Sequence, residues 1–166
     1  MNAVKSYATG AIVLRAQTAA ELMTPNPLSI RGDATLHEAV AFLVDRNISG
    51  APVIDEAGRP IGVLSHTDIL VHDREEGEHF APPEIEYGTP LPRKLWDEFQ
   101  IERVDPTPVS EFMTPAVFCV STDTPAWGVI EQMRDLNVHR LFVTDTNGVL
   151  VGVITAMDVV RHLTAR

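Results

Sequence analysis

Apolar and polar positions follow one another in the same order twice along this chain. Leu28 and Ile30 stand two apart ahead of Asp33, and Phe118 and Val120 stand two apart ahead of Asp123. Each pair predicts a short half-buried strand. A helical stripe follows each strand: Leu36, Ala39, Val40, Leu43 and Val44 first, then Val129, Ile130, Met133 and Leu136. Thr35, with Glu38 three residues on, forms a capping-box pattern for the first helix. For the second, Thr124 is the expected cap and Pro125 suits the first helical turn. Asn47 and Asn137 close the two helices, where a left-handed residue is expected and asparagine tolerates it. A hairpin comes next, with strands over 52–54 and 61–64 around a turn at 55–60 that holds Gly58. It recurs with strands over 141–143 and 149–154 around a turn at 145–148. A last helix starts near Ser65 and near Thr155. The order is β-α-β-β-α, twice, and the fold class is α+β.

The two runs are copies. A shift of ninety positions superposes 21–70 on 111–160 without a gap. Met23-Thr24-Pro25 falls on Met113-Thr114-Pro115, Asp33 on Asp123, Gly58 on Gly148, Gly62 on Gly152 and Asp68 on Asp158. Two copies are too few to stack as a solenoid, so they are expected to pack face to face about a pseudo-twofold axis. The chain divides into an extension over 1–17, a first unit over 18–70, an insert over 71–106 and a second unit over 107–166. The extension is read as an added strand near 11–15 or a frayed end.

Composition narrows the class. Apolar residues make up 45% of the 166, enough for a packed core. No apolar run nears the ~18 residues of a membrane span, and the short apolar run at 11–14 does not read as a signal peptide. The one cysteine, Cys119, allows no internal disulfide, sits in a predicted strand and is expected in the core. A cytoplasmic location is expected. The net charge of −10 disfavours nucleic-acid binding, which requires a basic surface. Residues 71–110 hold ten Asp/Glu against four Lys/Arg, so excess acid is concentrated between the copies. That stretch is proline-rich yet carries Trp96 and Phe99. It is expected to pack on the module or across a dimer, with a short helix or turn over 91–99 and a strand over 100–104, or else to dock a partner protein.

The Met-Thr-Pro start of each copy, Gly50-Ala51-Pro52-Val53-Ile54-Asp55, and the twin Gly-x-x-[Ser/Thr]-x-x-Asp endings together resemble the CBS-domain family, named after cystathionine β-synthase. The resemblance covers about two-thirds of the chain. It implies a tandem pair (a Bateman module), homodimerisation, and a regulatory rather than catalytic role. It also implies binding of AMP, ADP or ATP, or less favourably S-adenosylmethionine, in clefts between the copies. The regulated protein is unknown.

The residues themselves admit that chemistry. Ser65-x-x-Asp68 and Thr155-x-x-Asp158 each follow a strand and open a helix. A helix N-terminus offers unpaired N–H groups to phosphate, and a carboxylate can accept both hydroxyls of a ribose. The same pattern is equally a helix cap with no ligand role. Ile48, Ser49 and Ala51 leave room for a ring near the backbone. Val138, His139 and Arg140 occupy the matching place in the second copy, where arginine and protonated histidine suit phosphate. The resemblance implies shared sites: Thr35, Ile48, Ser49 and Ala51 with Thr155 and Asp158 at site one, and Val138, His139 and Arg140 with Ser65 and Asp68 at site two. Pro125 and bulky Leu141 replace Thr35 and Ala51 at site two, so site one is expected to hold adenine better. Site one has no obvious cation of its own, and Arg31 is a weak candidate. No metal site is expected: the six histidines (His37, His66, His72, His79, His139 and His162) show no ligand spacing, and the His72–His79 stretch reads as a solvated charge run. No nucleophile elbow or glycine-rich phosphate loop is present, so an enzyme is not expected.

Overall fold

The computed structural model describes residues 11–75 and 106–165. Both predicted units are there. The first contains β3 (Ile30–Arg31), α2 (Leu36–Arg46), β4 (Gly50–Ile54), β5 (Pro60–Ser65) and α3 (His66–Glu75). The second contains β6 (Cys119–Ser121), α5 (Ala126–Asp135), β7 (Arg140–Thr144), β8 (Leu150–Thr155) and α6 (Ala156–Arg161). Ahead of these lie β1 (Ile12–Leu14), α1 (Ala19–Leu22) and β2 (Thr24–Pro25). Between the units lies α4 (Val109–Phe112), and β9 (Leu163–Ala165) ends the chain. α3 runs five residues into the stretch assigned to the insert. The helix or turn expected over 91–99, the strand over 100–104 and His79 lie outside the described residues.

Local chemistry sets the element ends. Thr35 and Glu38 cap α2 reciprocally: the Thr35 backbone N–H donates to Glu38 Oε2 at 2.8 Å, and the Glu38 N–H donates to Thr35 Oγ1 at 3.3 Å. Asn47 closes α2 in the left-handed region at φ 51°, and Asn137 matches it at φ 52°. Gly58 and Gly148 both take φ 78° in the hairpin turns, where a Cβ is disfavoured. α5 departs from expectation by one residue. Pro125 itself stands at the N-cap, and Thr124 Oγ1 instead accepts from the Ser121 N–H at 3.1 Å.

The sheets repeat with the same ninety-residue offset. β3 pairs parallel with β4, matching Ile30 to Val53, and β6 pairs parallel with β7, matching Val120 to Val143. Both hairpins are antiparallel, matching Val53 to Gly62 and Val143 to Gly152, and both shift register at the next residue. β1 pairs antiparallel with β9, so the expected early strand forms against the end of the chain.

The first helix of each copy crosses to the other. The Ala19 N–H donates to the Thr124 carbonyl at 2.8 Å, and the Val109 N–H donates to the Ala34 carbonyl at 2.8 Å. α1 therefore places Ala19 and Leu22 in the core of Val120, Val129, Leu141 and Ile154. α4 places Val109 in the core of Ile30, Leu36, Leu43 and Leu64, with Phe112 and Met113 packed against it. His72 of α3 stacks on Phe112, ring centroids 4.7 Å apart. β2 then pairs with β8, matching Thr24 to Val153, and Thr114 bridges to Val63 in the mirrored arrangement. The chain is a pseudo-twofold pair in which neither core closes with its own copy's residues alone.

The glycines of the two Gly-x-x-[Ser/Thr] endings are explained by this crossing. A Cβ on Gly62 meets Met113 Sδ and lies 2.8 Å from the Thr114 carbonyl oxygen, and one on Gly152 meets Met23 Sδ and lies 2.9 Å from its Cγ. Gly62→Ala forces the Thr114 backbone away. The expected cost is about 1–3 kcal/mol of unfolding free energy, read as a lowered urea midpoint. An unchanged midpoint contradicts the close crossing.

Candidate ligand site at the two helix caps

Each copy ends its hairpin on a hydroxyl residue that caps the following helix. The Ser65 backbone N–H and hydroxyl both donate to Asp68 Oδ2, at 2.7 and 2.6 Å, and the Asp68 N–H returns to Ser65 Oγ at 3.4 Å. Thr155 and Asp158 repeat this at 2.8, 2.6 and 3.3 Å. The capping role of both motifs is therefore real. It occupies Oδ2 of each carboxylate and leaves Oδ1 for other partners.

Those partners come from the other copy. The Thr114 hydroxyl donates to Asp68 Oδ1 at 2.8 Å, and the Thr24 hydroxyl to Asp158 Oδ1 at 3.5 Å. The threonines of Met-Thr-Pro thus meet the capping aspartates, a contact that reasoning from sequence did not assign. The signal was available: both threonines recur at the ninety-residue offset, as do both aspartates. Arg161 adds an ion pair to Asp158 Oδ1 at 3.2 Å, and Asp158 is only 6% exposed. Val71 stands at the place of Arg161 in the first copy.

The remaining candidates fall as follows. Gly50 pairs with Ser65 in the hairpin register, and Arg140 pairs with Thr155, so Ser49 and His139 border the caps of their own copies. The N–H of His66 donates to the Ser49 carbonyl and that of Ala156 to the His139 carbonyl. His139 and Arg140 are exposed, and among the described residues no hydrogen bond or ion pair engages their side chains. Ile48 and Val138 are half-buried against the two cores. Among the described residues, no strand pairing or hydrogen bond joins Thr35, Ile48, Ser49 or Ala51 to Thr155 or Asp158. The Thr35 hydroxyl is engaged by Glu38. Ala51 and Leu141 are both core residues, 1% and 0% exposed, so the bulk of Leu141 is spent inside the fold. Arg31 is held by Asp33 through two hydrogen bonds of 2.8 Å, and their pairing raises its pKa and lowers that of Asp33. That surface ion pair engages the cation candidate of site one.

Cys119 is a further correction. β6 turns Val120 inward and Cys119 outward, so the thiol is not in the core, and partial desolvation pushes its pKa up, away from a reactive thiolate. Among the described residues, no group of three or more His, Cys, Asp or Glu could hold a metal ion, and no helix is long and apolar enough to cross a membrane.

Two β-α-β-β-α units about a pseudo-twofold axis, each lending its Met-Thr-Pro segment to the capping aspartate of the other, define a tandem CBS pair. The CBS-domain family profile matches residues 19–75 and again 109–165, and the chain belongs to that family. It is 30% identical over 141 residues to CBS domain-containing protein CBSX1, chloroplastic, of Arabidopsis thaliana, a match covering 80% of this chain and 57% of that protein. The chain thus spans little more than half the length of that relative. Among solved structures it is similar to CBSX2 in complex with AMP (TM-score 0.60, 26% identity, 88% of this chain and 95% of that one). It is also similar to the cytosolic domain of the Mg2+ channel MgtE in complex with ATP (TM-score 0.61, 29% identity, 89% and 49%).

His66 opens α3 and is buried; desolvation lowers its pKa, and a hydrogen bond with the Ile48 backbone opposes that shift. A histidine kept neutral in the fold binds its proton more readily when unfolded. Its contribution to stability is present above the ordinary value of 6.5 and is lost as pH falls through the lowered folded value. The melting temperature is expected to drop from pH 7.5 to 5.5, and His66→Ala, which copies Ala156 of the second unit, is expected to flatten that slope. Equal slopes in the two proteins count against this origin.

Proposed function

We propose that this chain is a non-catalytic regulatory module that binds an adenine nucleotide of the AMP, ADP or ATP type in the clefts between its two CBS units. S-adenosylmethionine is the less favoured ligand. The observation that carries the reading is the pair of hydroxyl-capped carboxylates at the junctions of the copies, together with similar structures that hold AMP and ATP. The capping aspartates are read as the ribose contacts. Ser65 and Thr155 at the helix starts, with His139 and Arg140, are read as the phosphate contacts. Ile48, Ser49 and Val138 are read as lining for the base. Output is read as passing through a homodimer to a protein that the chain regulates. The cytoplasm is the proposed compartment, although the Arabidopsis relative is chloroplastic by name.

A second reading has one observation in its favour. Both aspartates are engaged by their own caps, as a purely structural role demands. On that reading the chain is an interaction module acting through dimerisation and its acidic insert. Calorimetry and thermal shift with AMP, ADP, ATP and S-adenosylmethionine separate the two. A ligand at a hundred times its Kd stabilises the fold by about 2.7 kcal/mol, a rise of several degrees in Tm. The nucleotide reading expects that rise with at least one adenine nucleotide. Silence at millimolar concentration of all four, with partner capture lost when 76–105 is replaced by a Gly/Ser linker, establishes the second reading instead.

A further inference from the structure

The two aspartates differ in how many acceptor positions they have left. A carboxylate offers about four lone-pair positions, two on each oxygen. Asp158 receives the Thr155 N–H and hydroxyl on Oδ2 and Arg161 Nη1 on Oδ1, and the Thr24 hydroxyl stands 3.5 Å from Oδ1, so two donors face that oxygen. Asp68 receives the Ser65 N–H, the Ser65 hydroxyl and the Thr114 hydroxyl, and among the described residues only the last reaches Oδ1. Exposure agrees with this difference. Asp68 is partly exposed, whereas Asp158 is buried beneath a guanidinium whose own side chain is 69% exposed.

We infer that the two clefts are inequivalent: the ribose diol is taken at Asp68, and Arg161 keeps the Asp158 site closed. This rests on the nucleotide reading above and assigns its occupied site. It reverses the order expected from the small residues at 49–51. Two observations favour it. Asp68 Oδ1 keeps an acceptor position that no described residue occupies. Asp68 is also partly exposed, where Asp158 is 6% exposed. Arg161 is a specificity-determining residue in this scheme. Its ion pair occupies the acceptor that a diol requires, and the Val71 of the first copy leaves the matching acceptor free.

The test is calorimetric titration of AMP into the full chain, with 2′,3′-dideoxy-AMP as the probe lacking the diol. One AMP per chain is expected, with no binding of the dideoxy compound. Asp68→Asn keeps acceptors for the cap and is expected to weaken AMP at least about tenfold, the effect of losing a hydrogen bond to a charged group. Its melting temperature shows whether the cap survives. Arg161→Val is expected to raise the stoichiometry from one to two. Two equal sites in the wild type, or binding that survives Asp68→Asn and is lost in Asp158→Asn, overturns the assignment while leaving the nucleotide reading intact. AMP, ADP and ATP all failing to bind the wild type and every variant sinks both.

Discussion

The exchange of first helices between the two copies is the constraint on which the rest of the structure depends. Val109 is fully buried in the first core, and Ala19 and Leu22 are buried in the second, yet each is contributed by the opposite copy. Burying a side chain of this size contributes about 1.5–3 kcal/mol. Withdrawing either helix therefore leaves a hole in a core as well as an unpaired strand edge. The Met-Thr-Pro segment follows the helix without a break. Once α1 is seated, Met23 must cross Gly152 and Thr24 must lie beside Asp158, and the same holds for α4, Met113 and Thr114.

Site chemistry and fold are therefore made by one crossing. The glycine of each ending gives way to the incoming methionine. The strand carries the chain to the cap, and the capping aspartate presents its spare oxygen to the incoming threonine. The copies differ at this contact, because an arginine stands on one aspartate and a valine at the matching place on the other.

Much of this was legible beforehand. The helical stripes apart from exposed Leu136, the Thr35–Glu38 box, the asparagine closures and the turn glycines all depend on contacts within a few residues, and they appear where the pattern put them. The alternating pairs do not, because β3 and β6 begin at Ile30 and Cys119 and leave Leu28 and Phe118 exposed ahead of them. The shift of the α5 cap from Thr124 to Pro125 is small. It arises because the Ser121 backbone takes the threonine hydroxyl first. Cys119 was misplaced because a three-residue strand has only one inward position, and Val120 holds it. Of the candidate ligand residues, the caps were legible and their partners across the copies were not.

Sequence by itself determined the element order, the duplication, the caps and the family signature, because each rests on local hydrogen bonding, side-chain periodicity or residue identity. Only the tertiary structure decided which copy completes which core and which threonine meets which aspartate. The two copies are so alike that Met23 fits the pattern over Gly62 as well as over Gly152. Thr24 and Asp158 lie 134 residues apart. A choice between equivalent partners at that distance is made by the packing of whole helices, and no local preference encodes it. The same packing decides which donors reach each aspartate from the other copy.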